Sequence, residues 1–135
     1  MEDRKLIKIL EIAIKASIEA GKEILKIYNE GFDVEYKDDK SPLTIADKKS
    51  NDVIYEYLTN TNIPILSEEG KSVPFEIRKD WKRFWIVDPL DGTKEFIKRN
   101  GEFTVNIALI KDEIPILGVI YIPVQKTLYF GSKET

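Results

Sequence analysis

Cysteine and histidine are both missing from the 135 residues. Without cysteine there is no disulfide, no thiolate metal site and no thiol nucleophile. Without histidine, Ser-His-Asp chemistry, phosphohistidine chemistry and His-ligated zinc are all excluded. Long apolar runs are missing as well, since none approaches the roughly 18 residues that a membrane-spanning helix needs. No block of single-sign charge suggests a nucleic-acid arm or a membrane-surface helix, and the net charge is only −3. The N-terminal MEDRKLIK mixes acids and bases with apolar residues, unlike a secretory signal. The expectation is a cytoplasmic chain that meets neither nucleic acid nor membrane.

What is present is enough for one domain with a real core: 42% of residues are hydrophobic and 33% charged. For catalysis there remain carboxylates, hydroxyls and bound metal. Asp3 to Asn29 reads as a long helix, with Leu6, Ile7, Leu10, Ala13, Ile14, Ser17, Ala20, Ile24, Leu25 and Tyr28 at three- and four-residue steps. Asp3 is its expected N-cap and Gly31 sits just past its end. Phe32–Lys37 alternates like a half-exposed strand, and Lys37–Lys40 reads as a polar loop. Pro42 disfavours helix at Ser41. A second helix then opens near Thr44–Asp47 and buries Ala46, Ser50, Val53, Ile54, Tyr57 and Leu58. Ile63–Leu66 is a short strand whose Pro64 suits an edge, followed by Ser67-Glu68-Glu69-Gly70. Lys71–Lys82 reads as a loop with room for one helical turn. Beyond residue 93, Lys94–Arg99 suits a short helical turn. Three strands follow, Phe103–Lys111, Ile116–Ile122 and Thr127–Phe130, in an antiparallel meander. Thr104 and Asn106 make one face of the first of these more polar.

The organising stretch is Arg83–Phe96, RFWIVDPLDGTKEF. An apolar strand, Phe84–Val87, stops at Asp88, and the Pro and Gly mark a turn. Two carboxylates three residues apart, Asp88 and Asp91, can converge on one point. With a turn carbonyl such as that of Leu90 they suit a hard cation like Mg²⁺. An Asx turn with solvated acids accounts for the same letters. Thr44 and Asp47 likewise read first as an N-cap and a capping box, and the Glu68-Glu69 pair as a solvated loop.

WIVDPLDGTKEF resembles the signature of the inositol monophosphatase superfamily, the Mg²⁺-dependent, lithium-sensitive phosphatases. Its continuation IKRNGEFTVNIALI is closest to the 3'(2'),5'-bisphosphate nucleotidase branch. The loop SPLTIAD and the Ser67-Glu68-Glu69 segment match further family patterns. The resemblance spans essentially the whole chain, yet covers the N-terminal half only of a family whose chains run to roughly double this length. It implies an α+β fold: the first helical pair and the antiparallel sheet of a layered α-β-α-β-α phosphatase, with residues 1–135 as one domain, its metal-binding part. It implies a hydrolase of sulfur metabolism with two or three Mg²⁺ ions, held by Glu68, Asp88, the Leu90 carbonyl and Asp91. Thr93, backed by Asp47, would ready the attacking water, and the Gly92 and Thr93 N–H groups would hold phosphate oxygens. The implied substrate is a small phosphate ester, adenosine 3',5'-bisphosphate.

Two departures matter. A haloacid-dehalogenase-type phosphatase needs D-x-D-G-T, and the spacing here, D-P-L-D-G-T, is one residue too long. The W-D-x-A motif that completes the family's second metal site is also absent. That keeps two alternatives open: a non-catalytic metal-binding remnant, or an inositol monophosphatase- or fructose-bisphosphatase-type sugar phosphatase. The uncovered face of the sheet would be exposed, paired in a homodimer, or covered by a complementing C-terminal chain.

Overall fold

The computed structural model describes residues 2–31, 34–36, 42–70 and 73–133, with side chains left undescribed at 2, 3, 35, 36, 42 and 43. The parts of the expected strand, loop and tail readings that fall on 32–33, 37–41, 71–72 and 134–135, the Ser41 reading among them, lie outside the described residues.

The first helix, α1, runs Glu2–Glu30. Its start at Glu2 puts Asp3 inside the helix rather than at its cap. Gly31, at φ 101°, closes it by donating to the Ile27 carbonyl at 3.0 Å, the left-handed exit that glycine takes most easily. Two short strands, β1 (Val34–Tyr36) and β2 (Pro42–Thr44), pair antiparallel. Helix α2, Ile45–Leu58, follows directly. Strand β3 (Ile65–Ser67) precedes one helical turn, α3 (Phe75–Arg78), and then the long β4 (Arg83–Asp91). Helix α4 (Thr93–Lys98) leads into β5 (Thr104–Lys111), β6 (Ile114–Ile122) and β7 (Thr127–Ser132).

The five strands β3 to β7 form one sheet in sequence order. Three of its four pairs are antiparallel, as the meander predicts, but edge strand β3 runs parallel to β4. The parallel pair needs a crossover, and the segment holding α3 provides it. One face of the sheet presents Trp85, Val87, Val105, Ile107, Leu109, Leu117, Val119 and Tyr121 to the core, where α1 and α2 cover it. The other face has rows Ile86–Ala108–Gly118–Gly131 and Asp88–Asn106–Ile120–Tyr129 across the strands. Ile86, Ile120 and Tyr129 are exposed there.

The buried stripe of α1 is built from small residues, Ala13, Ala16, Ser17, Ala20 and Gly21, with Ile24. Ile7, expected in that stripe, is 54% exposed. Small residues win because they let the helix lie close to α2 and β6. Gly21 marks the closest approach. A Cβ there would stand 2.5 Å from Tyr121 Cε2 and 2.9 Å from its Cδ2. Gly→Ala inside a helix ordinarily gains about 1 kcal/mol of helix propensity. Here overpacking against a buried ring is expected to reverse the sign, making Gly21→Ala less stable by about 1–3 kcal/mol, as a urea unfolding midpoint will read. At the other end of α1, Tyr28, Phe96 and Phe103 stack with ring centroids 5.1–5.4 Å apart. That cluster seats α4 against the end of α1. No helix among the described residues is long and apolar enough to cross a membrane.

Candidate active site

Strand β4 does not stop at Asp88. It continues through Pro89 and Leu90 to Asp91, with an irregularity between the two acids: Asp88 pairs with Asn106, and Asp91 with Thr104. Three steps on β4 thus match two on β5, which is a one-residue bulge. The bulge is what brings the acids together. In a regular strand residues three apart point to opposite faces. The extra residue resets the alternation, so Pro89 and Leu90 are both buried while Asp88 and Asp91 both face outward. Proline is tolerated at such a position because the ladder there needs no N–H.

Parallel pairing brings a third acid to the same end. Ser67 pairs with Val87, and the Glu68 N–H donates to the Val87 carbonyl at 3.1 Å, so Glu68 lies beside Asp88. The fourth, Asp47, comes from the first turn of α2. Its Oδ2 accepts from the Thr44 N–H at 2.9 Å and from the Thr44 hydroxyl at 2.8 Å, while Thr44 Oγ1 accepts from the Ala46 N–H at 3.2 Å. Its other oxygen, Oδ1, accepts from the Thr93 hydroxyl at 2.9 Å. The two readings of Asp47, helix cap and partner of Thr93, therefore hold at once, one on each carboxylate oxygen. Asp47 is 1% exposed.

Electrostatics tie the four acids together. The Asp88 carboxyl is raised to about 6, first by burial, then by the charges of Asp91, Glu68 and Asp47, against the opposing hydrogen bond from the Leu90 N–H. A bound cation is the kind of partner that would relieve a carboxyl so placed. All the oxygens are hard, which suits Mg²⁺ or Ca²⁺ and not a thiolate-seeking metal. Among the described residues no three acidic side chains already close into a cage around one point. The acids share a field and an exit rather than a finished pocket. Leu90 offers its carbonyl, which also accepts from Thr93 Oγ1 at 3.4 Å. Gly92 holds φ 94° between Asp91 and α4, and a Cβ there would press within 3.2 Å of the Glu102 carbonyl. Glycine is the residue that makes this turn without strain.

Three polar groups at this end were given no part in the site from sequence. Asn106 donates to Asp91 Oδ2 at 3.0 Å and accepts from the Thr104 hydroxyl at 3.1 Å. The polar alternation of Thr104 and Asn106 was the one signal pointing to it. Ser50 donates to the Pro89 carbonyl at 2.6 Å, and Asn51 accepts from the Ser67 hydroxyl. An open groove of about 660 Å³ runs from Asp88 and Asn106 over the outer sheet face to Tyr129 and Phe130.

Comparison with known proteins identifies the family. Residues 5–135 match the inositol monophosphatase family, and the chain belongs to it. It is 49% identical over 129 residues to the 3'(2'),5'-bisphosphate nucleotidase CysQ of Salmonella typhimurium, covering 93% of this chain and 52% of that protein. The CysQ of Buchnera aphidicola is 48% identical over 143 residues, covering 94% and 54%. Among solved structures, CysQ from Bacteroides thetaiotaomicron superposes with TM-score 0.82 at 54% identity, covering 93% of this chain and 46% of that one. The extragenic suppressor protein suhB from Bartonella henselae superposes with TM-score 0.84 at 28% identity, covering 95% and 50%. The chain spans about half the length of the curated relatives it matches.

Proposed function

We propose that this chain carries the metal-binding and water-activating part of a phosphatase that removes the 3'-phosphate of adenosine 3',5'-bisphosphate, giving AMP and phosphate. The observation that carries the reading is the Thr93–Asp47 hydrogen bond at 2.9 Å, set beside an Asp88 that burial first, and then the charges of three other acids, hold above its ordinary range. The names of the CysQ relatives supply the substrate class.

In this reading Glu68, Asp88, the Leu90 carbonyl and Asp91 hold two or three Mg²⁺ ions. Such ions, when bound, neutralise the acids, polarise phosphoryl oxygens and lower the pKa of water. The chain's own groups do the rest. Because the Thr93 hydroxyl points its single proton toward Asp47 at 2.9 Å, closer than the Leu90 carbonyl at 3.4 Å, its oxygen lone pairs remain to accept a hydrogen bond from a water and so aim it. A proton arriving at Thr93 Oγ1 has a carboxylate waiting behind it. Asn106 fixes one oxygen of Asp91 and leaves the other to point outward. The Gly92 and Thr93 N–H groups, at the start of α4, are the donors offered to phosphate oxygens. No covalent enzyme intermediate is required. The exposed apolar face beside the acids supports the further reading that residues 1–135 are one layer set of a larger phosphatase fold, covered there by more structure from the same or another chain.

A second reading, a metal-binding module without turnover, draws on the absence of a closed three-acid cage among the described residues. Phosphate release from adenosine 3',5'-bisphosphate by the purified chain, with and without Mg²⁺, separates the two. Mg²⁺-dependent release is the expected result. Cation binding without release favours the second reading, and no cation binding overturns both. Inositol 1-phosphate and fructose 1,6-bisphosphate, tested alongside, are expected to be poorer substrates.

A further inference from the structure

One turn of α2 reaches both strands that carry or lead into the other acids, and the start of α4 as well. Asp47, Ser50 and Asn51 stand three and four residues apart, so they share one helix face, and all three are buried. Asp47 holds Thr93 after Asp91. Ser50, fully buried, donates to the carbonyl of Pro89, between Asp88 and Asp91 and 39 residues away in sequence. Asn51 accepts from Ser67, immediately before Glu68. The Ser50 and Asn51 contacts land on a bulge and a strand end, where the sheet's own ladder gives out. Pro89, as a proline, has no N–H to give, and at the bulge its carbonyl accepts from the helix. A buried carbonyl in that position needs a donor, and Ser50 supplies one.

We propose that Ser50 and Asn51 are positioning residues: they clamp the Asp88–Asp91 bulge and the Glu68 strand end to a single rigid helix face, and so set the spacing of the acids for a cation. This deepens the cation reading of the acidic end and rests on it. The logic is that of any metal centre, in which groups behind the ligands orient them and their loss costs roughly 10–100-fold in affinity. Neither residue touches the cation or the substrate.

The test compares the unmodified chain with Ser50→Ala, Ser50→Thr and Asn51→Ala. Ile54→Val, a buried change one turn further along the same helix, controls for general loosening. Titration with Mn²⁺ by calorimetry reads affinity. Amide hydrogen exchange of cation-free protein reads the bulge (residues 90–92) and the strand end (residues 68–69) separately. Ser50→Ala is expected to weaken Mn²⁺ binding about tenfold or more and to speed exchange at the bulge. Asn51→Ala is expected to speed exchange at residues 68–69 instead. Ser50→Thr, which keeps the hydroxyl, restores both readouts, and Ile54→Val leaves affinity within about twofold of the unmodified chain while lowering its melting temperature. Equal loss of affinity in Ile54→Val, or unchanged exchange at residues 90–92 in Ser50→Ala, overturns the clamp. An unmodified chain that binds no Mn²⁺ overturns the cation reading, and the exchange data still decide whether Ser50 and Asn51 fix these segments.

Discussion

Replacing Asp88 with asparagine is expected to move cation binding and stability in opposite directions. The native carboxyl is half-buried and raised from 3.8 to about 6, by burial and by the charges of Asp91, Glu68 and Asp47. Between those values the folded chain keeps a proton that the unfolded chain has released. Stability of the cation-free protein therefore falls as pH rises from about 4 to about 6, and the loss is complete above that window. Asparagine has no charge to bury or to repel. In EDTA at pH 7 the variant should be more stable than the native chain, by on the order of 1 kcal/mol once solvent screening of a half-buried group is allowed for. Its midpoint should also depend less on pH between 4 and 6. Mg²⁺ reverses the ranking. The native chain gains stability as the logarithm of cation concentration over Kd, and the variant, having lost a ligand, gains little. Its cation affinity should fall by more than the roughly 10–100-fold that loss of a supporting group costs, and phosphate release should fall to background. Urea melts with EDTA and with Mg²⁺, at three pH values, decide it. A variant less stable than native in EDTA at pH 7 would show that Asp88 is held by favourable contacts and is no part of a strained acid cluster.

Much of this site could be read in the letters, for a physical reason. Asp47, Glu68, Asp88 and Asp91 each follow a local signal, a strand end or a helix start, that short-range sterics impose. The helix start at Thr44 and the turn at Gly92 are set within four residues of chain. The bulge was not legible, because it exists only relative to β5. Nothing in Phe84–Asp91 says that three of its residues will face two of the partner. The apolar run alone suggested a strand ending at Val87, whereas pairing with Asn106 and Thr104 carries it to Asp91. The parallel setting of β3 escaped for the same reason: a three-residue strand records no direction. Pro42 in a strand escaped because proline reads as a breaker, though a two-stranded ribbon tolerates it at an end. Ile7 was misplaced because hydrophobicity was weighed without distance. Where two helices and a sheet nearly touch, Ala13, Ala16 and Gly21 fit, and the larger isoleucine is turned out. Ser50 was rightly placed on the buried face, but its partner lies 39 residues away, and no local pattern announces it.

Asp47 offers the sharpest separation of fold from function, because its two oxygens do different things. Oδ2 closes the cap of α2 through Thr44, and Oδ1 accepts a hydrogen bond from the Thr93 hydroxyl. Thr44→Ala removes only the first arrangement. It is expected to cost about 1 kcal/mol, the usual worth of an N-cap, and to leave phosphate release within a few-fold of native. Thr93→Val removes only the second. Its stability cost should be about 1 kcal/mol, for a buried acceptor left short of a donor, but kcat should fall roughly 10²–10⁴-fold, the range for a positioned proton acceptor. Asp47→Ala removes both. Its stability loss should approach the two combined, about 2 kcal/mol, while its kcat falls no further than that of Thr93→Val. Groups that act as one unit are not additive, so Asp47→Ala/Thr93→Val should be no slower than either single variant. Additive losses in kcat would mean that Asp47 reaches the water by a route that does not pass through Thr93. A kcat that tracks stability across all four variants would mean that the 2.9 Å contact only holds α4 in place.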